Sequence, residues 1–244
     1  MRFKREFRAL HGLTHRNLVR LRELIQSDGQ WLLSMELVAG TDFRRYVRPE
    51  DGQADETKLR PALRELAQGL TALHAAAHVH RDIKPSNIVV TPSGRVVLLD
   101  FGLVMGTSET SQSMGFDIVG TPAYMAPEQA AQKELSAAAD WYAVGVLLFE
   151  CLTGRLPFEG MPLQLLIAKQ QTKAPRPREV DPRIPLDLDM LTADLLERDP
   201  EQRIGGDEVL RRLEGALTSI GPEARPSLSP DAGTRTHMGS FVGR

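Results

Sequence analysis

The sequence predicts an α+β fold built from a small N-terminal part and a larger, mostly helical part. Residues 2–13 carry apolar side chains at helical spacing, and strand-like runs at 18–26 and 31–38 follow around a Ser-Asp-Gly-Gln turn. Beyond residue 58 helical periodicity dominates. A helix and a hairpin followed by segregated helices is the pattern of an α+β protein.

The first element is predicted to be a surface helix packed on a domain. Phe3, Phe7 and Leu10 share one face at i, i+4 and i+7, and basic residues occupy much of the remainder. A membrane-surface helix or a targeting peptide is the alternative interpretation. Glu6 lies within the basic cluster and argues against a transit peptide, which is poor in acidic residues.

The larger part begins with a Leu- and Ala-rich helix over residues 58–77. Two short strands are predicted at 88–90 and 95–99, around the turn Thr-Pro-Ser-Gly. The Ser-, Thr- and Gly-rich stretch 104–118 has no period and predicts a loop. From Ala137 onward the pattern is mainly helical.

Composition excludes several classes of protein. The 244 residues hold 30 Lys and Arg against 32 Asp and Glu, so the strong basic excess of a dedicated nucleic-acid binder is absent. The sequence contains no run of about 18 apolar residues, so it predicts no membrane-spanning helix. The single cysteine, Cys151, excludes an internal disulfide framework and favours a cytoplasmic location.

Three motifs follow one another in the larger part. Residues 80–87 read His-Arg-Asp-Ile-Lys-Pro-Ser-Asn, and Asp100-Phe101-Gly102 comes directly after the strand-like run Val-Val-Leu-Leu. Ala126-Pro127-Glu128 comes next. In this order and context the motifs resemble those of the Hanks-type serine/threonine protein kinases, of the bacterial kind. The resemblance implies a bilobal protein-kinase-like fold, in which the large lobe is mostly helical.

The residue types suit phosphoryl transfer, which depends on positioning and charge neutralisation. By resemblance, Asp82 orients the substrate hydroxyl, while Asn87 and Asp100 hold Mg²⁺ through oxygen atoms, which Mg²⁺ prefers. Pro85 biases Lys84 toward an extended conformation, which places Lys84 on the same side of the chain as Asp82. The implied cofactors are ATP and Mg²⁺, and the implied partner is a protein substrate with Ser or Thr.

Further matches extend the resemblance toward both ends of the chain. Asp140 resembles the aspartate that anchors the catalytic-loop backbone, and Glu128 is expected to form an internal ion pair with Arg203. In the small lobe, Glu6 matches the glutamate of the regulatory helix, and Met35 matches the gatekeeper.

The resemblance also assigns the nucleotide contacts. The backbone of Glu36 and Val38 is expected to hydrogen-bond adenine, and Asp42 falls where the family places an acidic ribose contact.

Two parts of the family pattern do not occur in the 244 residues. There is no G-x-G-x-x-G, and no lysine stands where one should pair with Glu6. We expect the small lobe to be truncated to a helix and a hairpin, and residues 1–244 alone to have little or no kinase activity.

Three explanations for that pattern stay open. The chain is a fragment or late-start reading of a complete kinase, a domain that borrows strands from a partner, or a pseudokinase scaffold in signalling. A small-molecule phosphotransferase is disfavoured, because Ala-Pro-Glu, Asp140 and Arg203 belong to the protein-kinase large lobe.

The activation segment is predicted to lie between Asp100 and Glu128. Arg81 matches the arginine that binds a phosphorylated residue there, and Thr121 matches a residue that contacts Asp82. Asp117 stands where many relatives carry the activating phosphothreonine. Our hypothesis is that Asp117 partly mimics phosphate, with Ser113 as a second, autophosphorylated candidate.

These matches divide the chain into three predicted parts. Residues 1–38 are the remnant of the small lobe, 39–215 the large lobe, and 216–244 a linker rich in Gly, Pro, Ser and Thr. The final Phe-Val-Gly-Arg resembles the opening of ATPase modules fused behind kinase domains. A fused ATPase or sensor module is therefore expected, with a disordered tail as the alternative.

Overall fold

The computed structural model describes residues 7, 10–27, 30–49, 52–100, 121–131 and 135–219. For residues 216–219 it describes the backbone only. Five short strands, a number of helices and a 3₁₀ turn at Pro85–Asn87 make up this part of the chain. The predicted α+β class is confirmed.

The N-terminal part contains a helical segment and one hairpin. Phe7 and Leu10 have helical backbone and pack in the core, as the apolar face predicts. Strand β1 (Leu21–Ser27) pairs antiparallel with β2 (Gln30–Met35), with a register irregularity at the start of β1. The hairpin is therefore confirmed, but β1 begins three residues later than predicted.

The reason is that residues 17–19 bond to a different sheet. Strands β3 (Thr41–Asp42), β4 (Ile88–Val90) and β5 (Val96–Leu98) form an antiparallel sheet with β4 in the centre. The Leu98 N–H donates to the Asn17 carbonyl at 2.8 Å, and the Val19 N–H to the Leu98 carbonyl at 3.0 Å. These bonds join the N-terminal part to the larger part.

A buried side chain strengthens the same junction. The Asn17 amide donates to Glu65 at 2.9 Å and to the Val96 carbonyl at 2.7 Å. Glu65 also accepts the Val96 N–H at 2.8 Å. A helix, a strand and the segment before β1 therefore share one hydrogen-bond network.

The helices begin and end at identifiable signals. Asp55 caps the long helix, Ser136 caps the central helix, and Gly154 ends that central helix in the left-handed conformation. The helices are α1 (Phe43–Val47), α2 (Glu56–Ala75), α3 (Pro127–Ala130), α4 (Ala137–Thr153), α5 (Pro162–Gln171), α6 (Pro177–Val180), α7 (Leu186–Leu195) and α8 (Gly206–Ser219).

Helix α4 is the centre of the larger part. Thirteen of its seventeen residues are buried, so it is enclosed on nearly all sides rather than amphipathic. It packs against α7, and α2 packs against α8. Among the helices that the structure describes, none is long and apolar enough to cross a membrane.

Helix α8 continues to Ser219, past the predicted start of the linker at residue 216. Residues 220–244, which include the Phe-Val-Gly-Arg end, lie outside the described residues.

We predict that Gly145→Ala destabilises the protein by about 1–3 kcal/mol, because a Cβ there lies 2.9 Å from Leu195 Cβ and 3.1 Å from Leu196. Gly215→Ala in α8 is the matched control, since its Cβ meets nothing within 4 Å. The control should gain about 0.5–1 kcal/mol through helix propensity. Urea unfolding measures both, and equal effects of the two substitutions would contradict the close α4–α7 packing.

Candidate active site

Asp140 holds the loop that carries the first motif. Its carboxylate, 1% exposed in α4, accepts the His80 N–H and the Arg81 N–H, each at 2.7 Å. His74 Nε2 lies 2.7 Å from the same carboxylate. Backbone donors satisfy the buried charge, and in return the carboxylate fixes two consecutive peptides of the loop.

The fixed peptides include a strained one. Arg81 has φ +70°, in the left-handed region that non-glycine residues rarely adopt. The Gln129 amide donates to the Arg81 carbonyl at 3.1 Å, while the Arg81 N–H is bonded to Asp140. Hydrogen bonds on both sides of the residue therefore stabilise this unusual backbone.

His80 links the loop to the segment before Asp100. Its Nδ1 accepts the Asp82 N–H at 3.3 Å, so the proton is on Nε2, which donates to the Leu99 carbonyl at 2.7 Å. Burial lowers the pKa of His80, and this keeps the ring neutral. A neutral ring is the form that both hydrogen bonds require.

Asp82, Lys84 and Thr121 come together as one cluster. Lys84 Nζ lies 2.6 Å from Asp82 Oδ2 and 3.3 Å from Thr121 Oγ1. Lys84 is extended, with φ −161°, which puts its side chain on the same side as that of Asp82. The Asp82 and Lys84 side chains are 31% and 25% exposed, so a substrate can reach them.

Asn87 is oriented by Asp82. Its amide nitrogen donates to Asp82 Oδ2 at 2.9 Å and to the Asp82 carbonyl at 2.8 Å, which leaves its Oδ1 to act as a ligand. The Leu99 N–H donates to the Asn87 carbonyl at 2.8 Å. The next residue in the chain is Asp100, which is exposed.

Asp100 has φ +50°, a second left-handed residue. An amide oxygen and a carboxylate are oxygen donors that suit Mg²⁺, which binds through few protein oxygens and keeps several waters. In the described part of the chain, no three His, Cys, Asp or Glu side chains cluster as a metal centre.

The residues expected to bind the nucleotide lie along the chain after β2. Glu36 forms an ion pair with Arg95 at 3.0 Å, and its N–H donates to the Arg20 carbonyl at 2.9 Å. Val38 packs against the core. Asp42 caps α1, because its Oδ1 accepts the Arg45 N–H at 2.9 Å. The cap is a structural role that the sequence analysis did not assign.

Three predicted site residues, Glu6, Ser113 and Asp117, lie outside the described residues.

Sequence reasoning missed two residues near the site, Gln129 and Lys169. Lys169 is 1% exposed and follows the buried Leu165 and Leu166 at i+4 and i+3. A lysine on the apolar face of a helix was therefore the available signal.

Glu128 and Arg203 form the expected ion pair, at 2.6 and 3.0 Å in bidentate geometry. The guanidinium also donates to the Ala138 carbonyl at 2.6 Å and lies 5.0 Å from the centre of the Tyr142 ring. The pair therefore joins the Ala-Pro-Glu motif to α4.

We predict that Arg203→Met costs about 3–5 kcal/mol of unfolding free energy, because it leaves the Glu128 carboxylate buried without its partner. Arg211→Met is the control. Arg211 pairs with Glu208 at the surface and is 71% exposed, so its loss should stay within about 1 kcal/mol. Urea unfolding at neutral pH measures both, and a loss below about 1 kcal/mol for Arg203→Met would refute the role of the pair.

Comparison with known proteins agrees with this geometry. The protein kinase domain model matches residues 1–213. The chain is 33% identical over 246 residues to the serine/threonine-protein kinase PkaA of Streptomyces coelicolor, covering 99% of this chain and 44% of that protein.

The serine/threonine-protein kinase PknE of Mycobacterium tuberculosis is 34% identical over 202 residues, or 83% of this chain and 36% of that protein. A probable serine/threonine-protein kinase PknB of Lactococcus lactis is 30% identical over 220 residues, or 90% and 35%. The chain thus spans less than half the length of these relatives. It belongs to the protein kinase family, with the bacterial Hanks-type serine/threonine kinases as relatives, and has the mostly helical large lobe of that fold.

Proposed function

We propose that the protein is an ATP-dependent serine/threonine kinase that transfers the γ-phosphoryl group of ATP to Ser or Thr hydroxyls of a protein substrate. The observation that carries the proposal is the convergence of Lys84 Nζ and the Asn87 amide on one carboxylate oxygen of Asp82, at 2.6 and 2.9 Å. A base, a cation and an oriented amide oxygen at one partly exposed point suit in-line phosphoryl transfer.

In the proposed step the substrate hydroxyl oxygen bonds to the γ-phosphorus while the bond from that phosphorus to the bridging oxygen of ADP breaks. The hydroxyl proton passes to Asp82, whose side chain is partly exposed and can therefore contact the substrate. Lys84 offsets negative charge on the transferred group. The Thr121 hydroxyl accepts a hydrogen bond from the Lys84 ammonium and so helps to position it.

Asn87 Oδ1 and the Asp100 carboxylate are the proposed ligands of Mg²⁺, which neutralises charge on the ATP phosphates when it is bound. The Glu36 carbonyl and the Val38 N–H are the proposed adenine contacts. Within the described residues neither group has a hydrogen-bond partner, so both remain available to a base. For Asp42, the cap of α1 engages Oδ1, and Oδ2 is 3.8 Å from Arg45 Nε at the exposed side; the ribose contact is proposed at Oδ2.

Activation is proposed to act through Arg81. Its Nε is buried and has no hydrogen-bond partner among the described residues. This N–H could therefore donate to an anion that binds beside it. Asp117 and phosphorylated Ser113 are the proposed anions, and Thr121 is the proposed contact to the substrate side.

A pseudokinase that acts as a binding module in signalling is the second candidate. Phosphate transfer separates the two candidates, because a binding module transfers no phosphate. A cytoplasmic location and a fused ATPase or sensor module complete the proposal for the whole protein.

We predict that Asp82→Asn in the full-length protein lowers the rate of phosphoryl transfer to a generic basic protein by about 10²–10⁴-fold, since it removes the base. Mg·ATP affinity should change less than about twofold, because Asp82 is not a proposed ligand. Transfer of labelled phosphate and calorimetric ATP titration measure the two effects.

Asp207→Asn, at an exposed position in the first turn of α8, is the control for charge and should leave both quantities unchanged. A wild-type protein that binds nucleotide and transfers no phosphate would favour the pseudokinase. A fully active Asp82→Asn variant would overturn the assigned role of Asp82.

A further inference from the structure

Lys169 is a buried lysine that holds three backbone carbonyls. Its side chain runs inward from α5, and the residue is 1% exposed. Nζ donates to the carbonyls of Pro122, Ala123 and Met125, at 2.9, 2.6 and 2.9 Å. An ammonium has three N–H donors, so one side chain satisfies all three acceptors.

The three carbonyls converge because the chain turns tightly there. The Tyr124 N–H donates to the Thr121 carbonyl at 3.0 Å, which closes a turn over residues 121–124. The bond to the Met125 carbonyl is buried and those to Pro122 and Ala123 are partly buried, and a carbonyl oxygen buried without a donor costs about 1–3 kcal/mol. The turn therefore depends on a cation at the position of Nζ.

Aromatic and charged groups complete the surroundings of Nζ. The centre of the Tyr142 ring, on α4, is 5.5 Å from Nζ, and the Arg203 guanidinium lies 5.0 Å from the same centre. Glu128, at the start of α3, neutralises Arg203. The ring can stabilise the Lys169 ammonium. The Arg203 guanidinium is already paired with the Glu128 carboxylate.

Burial lowers the pKa of Lys169 to about 7, whereas hydrogen bonds from its ammonium to carbonyl oxygens act in the opposite direction. A neutral amine has only two N–H donors and would leave one of the three carbonyls without a bond. The charged form therefore matches the turn best.

The turn connects the candidate active site to α4. Thr121, its first residue, accepts from Lys84 Nζ at 3.3 Å, and Lys84 in turn lies beside Asp82. Tyr124 donates to Glu150 at 2.5 Å, which anchors the turn to α4. The small cavity beside the catalytic loop is lined by Asp82, by the turn residues Thr121 and Tyr124, and by Met125, which follows the turn.

We propose that Lys169 is a positioning residue for the protein substrate: by holding the carbonyls of residues 122, 123 and 125, it places the turn where the segment around the acceptor hydroxyl must bind beside Asp82. Lys169 acts through the turn and does not touch the reacting atoms. The inference rests on the proposed kinase function and adds to it a determinant of substrate binding.

The test uses steady-state kinetics of the full-length protein with Mg·ATP and a generic basic protein substrate. Lys169→Met keeps the length and apolar stem of the side chain and removes the donors. We expect the KM for the protein substrate to rise about tenfold or more, while the KM for ATP stays within about twofold, because the nucleotide groups lie elsewhere.

Lys173→Met is the matched control. Lys173 follows α5, is 75% exposed and pairs with Glu197 at 3.6 Å, so its loss should leave both KM values unchanged. An equal change in both KM values, or a lower kcat with both KM values intact, would show a merely structural lysine and overturn the proposal.

Amide hydrogen exchange of the same full-length variants supplies a readout that does not need activity. We expect exchange of Tyr124 in Lys169→Met to be about tenfold faster than in wild type, with α4 unchanged. Uniformly faster exchange, or unchanged exchange at Tyr124, would overturn the proposal.

Lys169→Arg serves if the methionine variant fails to fold. A planar guanidinium keeps the charge but cannot place three donors on one converging point, so the same shift in substrate KM is expected. Wild-type behaviour of Lys169→Arg would overturn the geometric argument. A wild-type protein without phosphoryl transfer would instead refute the proposed function, and the exchange result would still decide the role of Lys169.

Discussion

The buried carboxylate of Asp140 is the interaction on which the candidate active site depends. It sits in α4, the most enclosed helix, and accepts two consecutive backbone N–H groups of the loop that carries Asp82. Those bonds hold Arg81 in a left-handed conformation that costs about 1–3 kcal/mol. Without this anchor, the loop would relax and Asp82 would lose its fixed relation to Lys84 and Asn87.

Helix α4 serves as the frame for the remaining parts as well. The carbonyl of Ala138 accepts from Arg203, which fixes the Glu128 pair, and the centre of the Tyr142 ring lies 5.0 Å from the Arg203 guanidinium and 5.5 Å from Lys169 Nζ. The charges of Asp140, Arg203 and Lys169 each have hydrogen-bond partners that satisfy them. Since an unpaired buried charge costs several kcal/mol, these contacts resist rearrangement and keep the site rigid.

Much of this arrangement could be predicted from the sequence. Periodicity located the long helix α2, because its apolar face repeats every 3.6 residues, and joint motifs pointed to Asp82, Asn87 and Asp100. Other features have no local signal. Strand β3 has only two residues, too few for a period, and the bond from Leu98 to Asn17 joins residues 81 positions apart.

Lys169 illustrates a different obstacle to prediction. A single lysine in a helix is ordinarily exposed, and only the carbonyls that the fold brings to it, over 40 residues away in sequence, explain its burial. Asp42 is similar, because the sequence pattern cannot separate a helix cap from a ligand contact. Long-range geometry, rather than residue type, decides both.

Amide hydrogen exchange at His80 and Arg81, compared between wild type and Asp140→Asn, tests whether Asp140 holds the loop. An asparagine keeps one acceptor oxygen and presents an N–H₂ to the other backbone donor, so one of the two amides is left without a partner. We expect protected amides in wild type and about tenfold or faster exchange in the variant. Equal protection in both proteins would contradict the claim that Asp140 holds the loop.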